Sequence, residues 1–499
     1  MGNTIHDLTA RVHSFILQGI DAIPCEIEVD LTPGLPCTSI VGLPDAAVRE
    51  SSERVRAAIS NSGHRWPACR ITVNLAPASV RKEGPVFDLA IAMALLLADG
   101  SIRSEHRDRA CPGQLIVAGE LALDGRTRPV RGVVAMVELA RRTGAAGVIV
   151  PRSNLSEAIA VGGVPVFGVD GLNSMVRHFK SVDPPVPESE PDHVVIDPAD
   201  HEVDFGEIKS QESAKRALMI AATGGHNILL VGPPGCGKTM LANAMTGILP
   251  PLDREEAIEI TRIHSAAGLI DQGQGLVRCR PFRRPHHTIS TSAMVGGGSI
   301  PRPGEVTLAH HGILFLDELP EFARAVLDSL REPLQDRSVT ISRVHGSVRF
   351  PSDPLLVAAM NPDRNGRIPQ NISLALLDRI DMHVRVPALP MTTLSTRASG
   401  LDSETMSTLV SEARLFQGHG RPSGRINARL TNRMLDDEGR FDDDGISILV
   451  DAMKTYELSA RSWDRIRRVA CSIADLGSSR QVRQEHVAEA IGYRLLDHE

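Results

Sequence analysis

The chain has 499 residues, a formal net charge of −7 and only 3% aromatic residues. It is long enough for about two to four domains with their own cores, and its overall charge announces no nucleic-acid or membrane partner, so any basic surface must be local. Seven scattered cysteines, odd in number and without Cys-x-x-Cys spacing, fit free thiols in a reducing compartment and argue against a disulfide framework or a cysteine zinc site.

Met1 to Ile20 lacks a long apolar core, and the longest apolar stretch, Leu89 to Ala98, is too short to span a bilayer, so a cytoplasmic protein is expected. Strand-like runs at Cys25 to Leu31, Arg70 to Leu75, Leu115 to Val117 and Gly147 to Val150 mix with helical patterns at Asp45 to Asn61 and Asp88 to Leu97, predicting an α/β or α+β domain over 1–180. Ser181 to Asp200 is rich in proline and acid with no hydrophobic period, which reads as a linker over 181–202. Strands and helices then alternate through 203–390, the pattern of a parallel-sheet nucleotide-binding core. Over 391–499 the strands stop, and helical spacing at Ile446 to Leu458, Trp463 to Asp475 and Gln484 to Leu496 predicts a small helical domain that can serve as a lid.

Within the core, the apolar run Asn227 to Val231 leads into Gly232, Pro233, Pro234, Gly235, Cys236, Gly237, Lys238 and Thr239, followed by a helix-like stretch. Glycines in this strand-loop-helix setting let backbone N–H groups wrap phosphate oxygens, Lys238 neutralises the β- and γ-phosphates of ATP, and the Thr239 hydroxyl takes a place on Mg²⁺. A second apolar run, Ile313 to Leu316, ends in Asp317 and Glu318. Asp317 is the candidate Mg²⁺ ligand and Glu318 the residue that orients the attacking water, the alternative being an ordinary strand cap. A third run, Leu355 to Met360, ends in Asn361, a polar side chain suited to sensing the γ-phosphate.

The chain from Thr239 to Asp317 is longer than one helix and one strand require, so an insertion is expected there, carrying Arg278, Arg280, Arg283 and Arg284. Val339 to Phe350 reads as a β-hairpin ahead of the Asn361 strand, with Arg343, His345 and Arg349 on or near its tip. These basic residues suit sequence-independent contacts to DNA phosphates, or they are ordinary solvated charges. The pairs His286-His287 and His310-His311 invite a metal reading, but adjacent histidines usually point apart, which favours structural roles.

Together, Gly232 to Thr239, Leu314 to Glu318, the hairpin, Asn361-Pro362 and Leu377 to Ile380 resemble the AAA+ ATPases of the helix-2-insert branch. Pro281 to His287 and Gly296 to Gly304 look like the YifB/ComM family of magnesium-chelatase-like proteins. Val41 to Pro44, Ile71 to Pro77, Lys82 to Pro85 and Gly119 to Pro129 resemble that family's N-terminal domain, which is similar to the Lon protease fold. The resemblance implies a homo-hexameric ring that hydrolyses ATP between subunits. Arg379 would be the arginine finger, Asn361 sensor 1 and Arg461 sensor 2.

On the residues themselves, Arg379 has an alternative in a salt bridge with Asp378 or Asp381, and Arg461, Arg465 and Arg468 have one in a solvated helix stripe. A Lon-type protease would place its serine at Val86 and its lysine at Val134, so amide hydrolysis has no covalent route and the domain is expected to be non-catalytic. The family's implied activity is translocation on DNA, notably migration of branched junctions; a chelatase-type motor acting on a protein partner is the alternative. Many relatives carry a cysteine-rich loop after the sensor asparagine, whereas Asn361 to Gln370 holds none.

Overall fold

The computed structural model describes residues 9–102, 114–180, 186–188, 203–271, 273–298, 301–343, 346–363, 369, 372–388, 400–418 and 425–494. The chain divides into two compact units, Met1–Ile196 with Arg254–Val277, and Asp197–Asp253 with Arg278–Glu499. Most of the expected linker 181–202 lies outside the described residues, but Glu188 is anchored in the first unit by backbone pairing with Val166 and by Arg152 at 2.5 Å. Among the described residues, no helix is long and apolar enough to cross a membrane.

The first unit contains β1 (Thr9–Gln18), β2 (Asp21–Thr32), β3 (Cys37–Val41), β4 (Arg70–Ala76), β5 (Leu115–Val117), the short pair β6 (Glu120–Leu121) and β7 (Thr127–Arg128), β8 (Gly147–Pro151) and β9 (Val166–Val169). Seven of these form a mixed sheet in the order β3-β4-β2-β1-β5-β8-β9. Strand β2 shows why: Cys25, Ile27, Val29 and Leu31 alternate into the core. Helices α1 (Ala46–Asn61), α2 (Asp88–Ala98), α3 (Val133–Thr143), α4 (Leu155–Val161) and α5 (Leu172–Lys180) complete it, and α2, apolar almost throughout, is buried all round. Val134 is buried in an apolar cluster against which Val86 also packs, so neither position carries a group able to act on a peptide bond.

Arg254–Val277 departs from the expectation that it belongs with the nucleotide core. Its helix, Arg254–Ala267, caps the α4 carbonyls of Ala160 and Val161 through Arg254 and pairs Arg262 with Glu138 of α3 at 3.2 Å. Ile258 packs into the cluster around α3, and Gly132, at the start of α3, donates its N–H to Ser265 O. Sequence alternation could not show that this helix finds its apolar partner in the other unit.

The second unit holds α6 (Glu212–Gly224), α7 (Lys238–Ala244), β10 (Ile228–Val231), β11 (Phe282–Arg283), β12 (Gly296–Gly297), β13 (Arg302–Pro303), β14 (Ile313–Leu316), β15 (Ser338–Arg343), β16 (Gly346–Pro351), β17 (Leu355–Met360) and β18 (Met382–Arg385). Its five-stranded sheet, β11-β14-β17-β10-β18, is parallel throughout. Leu229, Leu314 and Leu356 point into one buried cluster while Ile228, Phe315 and Val357 point into another, so both faces are covered, as a parallel sheet requires. Helices Ser403–Gly418, Asn432–Glu438, Asp443–Thr455, Ala460–Leu476 and Gln484–Gly492 form the C-terminal helical region and share the second cluster. The chain is thus α/β with a parallel-sheet core and a C-terminal helical region.

Candidate active site

Because every strand of this sheet runs the same way, its functional loops collect at one edge. After β10, Gly232 donates its N–H to Met360 O, and a side chain there would meet Val386 O at 2.2 Å, so only glycine fits. Gly235 and Gly237 follow with φ of +76° and +92°, the left-handed backbone that curls the loop over the start of α7. Lys238 is buried, and its Nζ donates to Gly232 O at 2.8 Å, Pro233 O at 2.9 Å and Asn361 Oδ1 at 3.0 Å. The ends of β10 and β17 therefore meet at one ammonium.

The end of β14 joins them. Thr239 Oγ1 donates to Asp317 Oδ2 at 3.0 Å, bringing together a hydroxyl and a carboxylate, the hard oxygen donors a magnesium ion takes. Glu318 sits at φ +53°, a left-handed conformation rare for a residue with a side chain, with its carboxylate 3.7 Å from His287 Nδ1. The fold thus gathers Gly232 to Thr239, Asp317, Glu318 and Asn361 at one place.

Arg379 and Arg461 are not part of that gathering. Both lie at the opposite edge, where Asn227, just before β10, receives the N–H groups of Asp381 and Met382 on its carbonyl and donates its own N–H to Asp381 Oδ2 at 3.2 Å. Arg379 donates to Arg331 O at 3.2 Å, Ala375 O at 2.7 Å and Gln335 Oε1 at 2.7 Å, all neutral acceptors, and forms no ion pair among the described residues. Burial, and after it the charges of Arg331 and Arg461, holds its guanidinium below the usual range. Its neighbour Asp378 pairs instead with Arg461 at 3.3 Å, and Asp381 pairs with Arg465 at 3.3 Å.

Two basic residues expected on a DNA-facing insertion are committed elsewhere. Phe282–Arg283 is a strand, paired parallel to β14, so both arginines emerge beside the Asp317 loop. Arg283 makes a two-pronged pair with Glu305 at 2.6 and 2.8 Å. Arg284 pairs with Asp317 Oδ2 at 2.7 Å and lies 5.4 Å over the Phe315 ring. The hairpin forms, β15 against β16, with Val339, Ile341, Val348 and Phe350 buried. Arg349 stands opposite Thr340 on the exposed face of the stem, away from the turn where sequence reading put it. His345 lies outside the described residues, and Arg343 closes the stem opposite Gly346.

Sequence reading missed the residues that brace these groups. Gln211 Nε2 donates to Pro387 O at 2.7 Å and Cys236 O at 3.4 Å, tying α6 to the glycine-rich loop. Asn227, Gln335 and His287 join it, and an isolated amide or imidazole carries no signal until the fold supplies its partners.

Comparison with known proteins agrees with this geometry. Residues 204–394 match the family model described as magnesium chelatase, subunit ChlI; residues 27–154 match subunit ChlI of Mg-chelatase; and residues 400–494 match the ChlI C-terminal model. The protein YifB of Salmonella typhimurium is 39% identical, with 98% of this chain and 97% of the relative covered. The competence protein ComM of Haemophilus influenzae is likewise 39% identical, over 98% of this chain and 97% of its own length. The magnesium-chelatase 38 kDa subunit of Rhodobacter capsulatus is 26% identical, over 36% of this chain and 55% of that subunit.

Proposed function

This chain belongs to the YifB/ComM family of magnesium-chelatase-like AAA+ ATPases, and from that premise we propose that it is an ATP-driven ring motor that translocates on DNA, with branched junctions as the intended substrate. The observation that carries the ring is the separation of charge across the sheet. Lys238, Thr239 and Asp317 follow the C-terminal ends of strands, while Arg379 and Arg461 cluster where strands begin. In this reading each chain offers these arginines to the nucleotide of its neighbour in the ring.

In this reading the glycine-rich loop and Lys238 hold the ATP phosphates, and Thr239 and Asp317 hold Mg²⁺, which when bound neutralises charge on the β- and γ-phosphates. Glu318 orients water, Asn361 positions Lys238 and senses the terminal phosphate, and Arg379 with Arg461 meets the adjoining protomer's nucleotide. The hairpin faces the ring's pore, where Arg349 and Arg343 contact DNA phosphates without reading sequence. The competence role in the name of the Haemophilus relative supports DNA as the substrate. The chelatase subunit matches little more than a third of this chain, which weakens the chelatase-type alternative.

The test is ATPase activity with single-stranded, duplex and four-way DNA beside a Lys238→Ala control. Stimulation by DNA, together with weaker and less salt-dependent binding in Arg343→Ala/Arg349→Ala, supports the proposal. Turnover indifferent to every DNA would remove it and leave a protein-remodelling ATPase.

A further inference from the structure

The cleft at the edge where the strands of the nucleotide sheet begin is over-supplied with cations. It is a polar space of about 340 Å³ lined by five arginines, Arg337, Arg379, Arg461, Arg465 and Arg468, and by three aspartates, Asp353, Asp381 and Asp464. Internal pairing does not neutralise it. Asp353 is shared between Arg337, at 3.4 Å, and Arg429. Asp381 is taken by Arg465, and Asp464 accepts from the neutral Asn432 amide at 2.9 Å.

Two arginines are left without a carboxylate among the described residues. Arg379 rests on neutral oxygens. Arg468, half-buried on the helix Ala460–Leu476, makes no ion pair, and its Nε is buried with no acceptor; one terminal nitrogen of Arg465 is in the same condition. Leaving charged donors dry and unpaired is destabilising, so convergent unpaired guanidiniums in a cleft point to a ligand that pairs them. Burial, and behind it the charges of Arg429 and Arg468, also holds Arg337 below the usual arginine range, as positive crowding requires.

We propose that this cleft is a binding site for a phosphate group, in which Arg468 and Arg337 are ligands additional to Arg379 and Arg461. A tetrahedral phosphate offers several acceptor oxygens in different directions, matching guanidiniums that arrive from the hairpin base, the segment before β18 and the C-terminal helix. The phosphate is either a free inorganic anion or the terminal phosphate of a nucleotide on an adjoining protomer. Only the second source rests on the ring reading.

The experiment begins with full-length Lys238→Ala protein, whose nucleotide loop is impaired, titrated with inorganic phosphate at fixed ionic strength in a calorimeter. Saturable binding is expected, weakened about tenfold or more by adding Arg468→Gln and largely restored by Arg468→Lys, with Arg337→Gln as an independent second variant. Phosphate that binds equally well with Arg468→Gln and Arg337→Gln, or that fails to bind the Lys238→Ala protein, overturns the proposal. Neither result bears on the ring, because the titration needs no hydrolysis. The source is then read from the Lys238-intact protein. Phosphate inhibition of turnover that Arg468→Gln relieves identifies the nucleotide's terminal phosphate, whereas phosphate that binds without affecting turnover identifies the free anion.

Discussion

Asn361 accepts a hydrogen bond from Lys238, Oδ1 to Nζ at 3.0 Å, and so fixes the cation of the glycine-rich loop to the end of the neighbouring strand. Removing that acceptor leaves Lys238 with partners from its own loop, the Gly232 and Pro233 carbonyls and the Cys236 sulfur. Asn361→Ala is expected to lower kcat for ATP hydrolysis by about 10- to 100-fold with a smaller change in KM, because the contact serves the transition state more than binding. Steady-state kinetics decide this, and an unaltered kcat would contradict it.

Arg284 occupies the same Asp317 oxygen that receives the Thr239 hydroxyl. A guanidinium there competes with a divalent ion for the carboxylate. Arg284→Ala is therefore expected to lower the magnesium concentration giving half-maximal ATPase by about three- to tenfold. A shift to higher magnesium would mean that Arg284 positions the carboxylate instead of competing for it.

Arg379 is held by neutral acceptors and so is released at little electrostatic cost. Arg379→Ala is expected to reduce turnover by about 10³-fold or more while leaving nucleotide binding nearly intact. Mixing it with Lys238→Ala protein should regain part of the activity, since some interfaces then pair an intact loop with an intact arginine. Additive inactivity of the mixture would count against a shared site.

Asp381 is half of a mostly buried pair with Arg465 and also faces His226 at 3.7 Å. Burial pushes its carboxyl up, but the neighbouring His226 ring, the Arg465 guanidinium and the Asn227 N–H outweigh it and leave the group below the usual carboxylate range. A depressed acid stabilises the fold above its unfolded pKa, about 4, and that stabilisation is lost as pH falls through the lower folded value. Asp381→Asn is expected to cost about 3 to 5 kcal/mol near neutrality and to flatten the acid limb of the stability curve. Denaturant unfolding across pH measures both, and an acid limb as steep as that of the parent protein would refute the assignment.

The three strand ends carrying the glycine-rich loop, Asp317-Glu318 and Asn361 were legible because each is a short apolar run followed at once by a polar group, a pattern that survives without tertiary information. The arginines divide differently. Arg379 and Arg461 are legible only through family resemblance, and the ion pairs of Arg283 and Arg284 are not legible at all, because a run of basic residues looks the same whether it faces solvent or pairs with Glu305 and Asp317. The Arg254–Ala267 helix was misgrouped because its amphipathic face tells that it packs and not on what.

That helix sets a limit on how the protein can be dissected. Cutting the chain near residue 200 would strip Ile258 of its apolar cover and Arg254 and Arg262 of their partners in the middle of the remaining fragment, while the excised N-terminal piece would lack one of its walls. The N-terminal unit is threaded into the gene rather than appended to it, and neither half is expected to be an independent folding fragment.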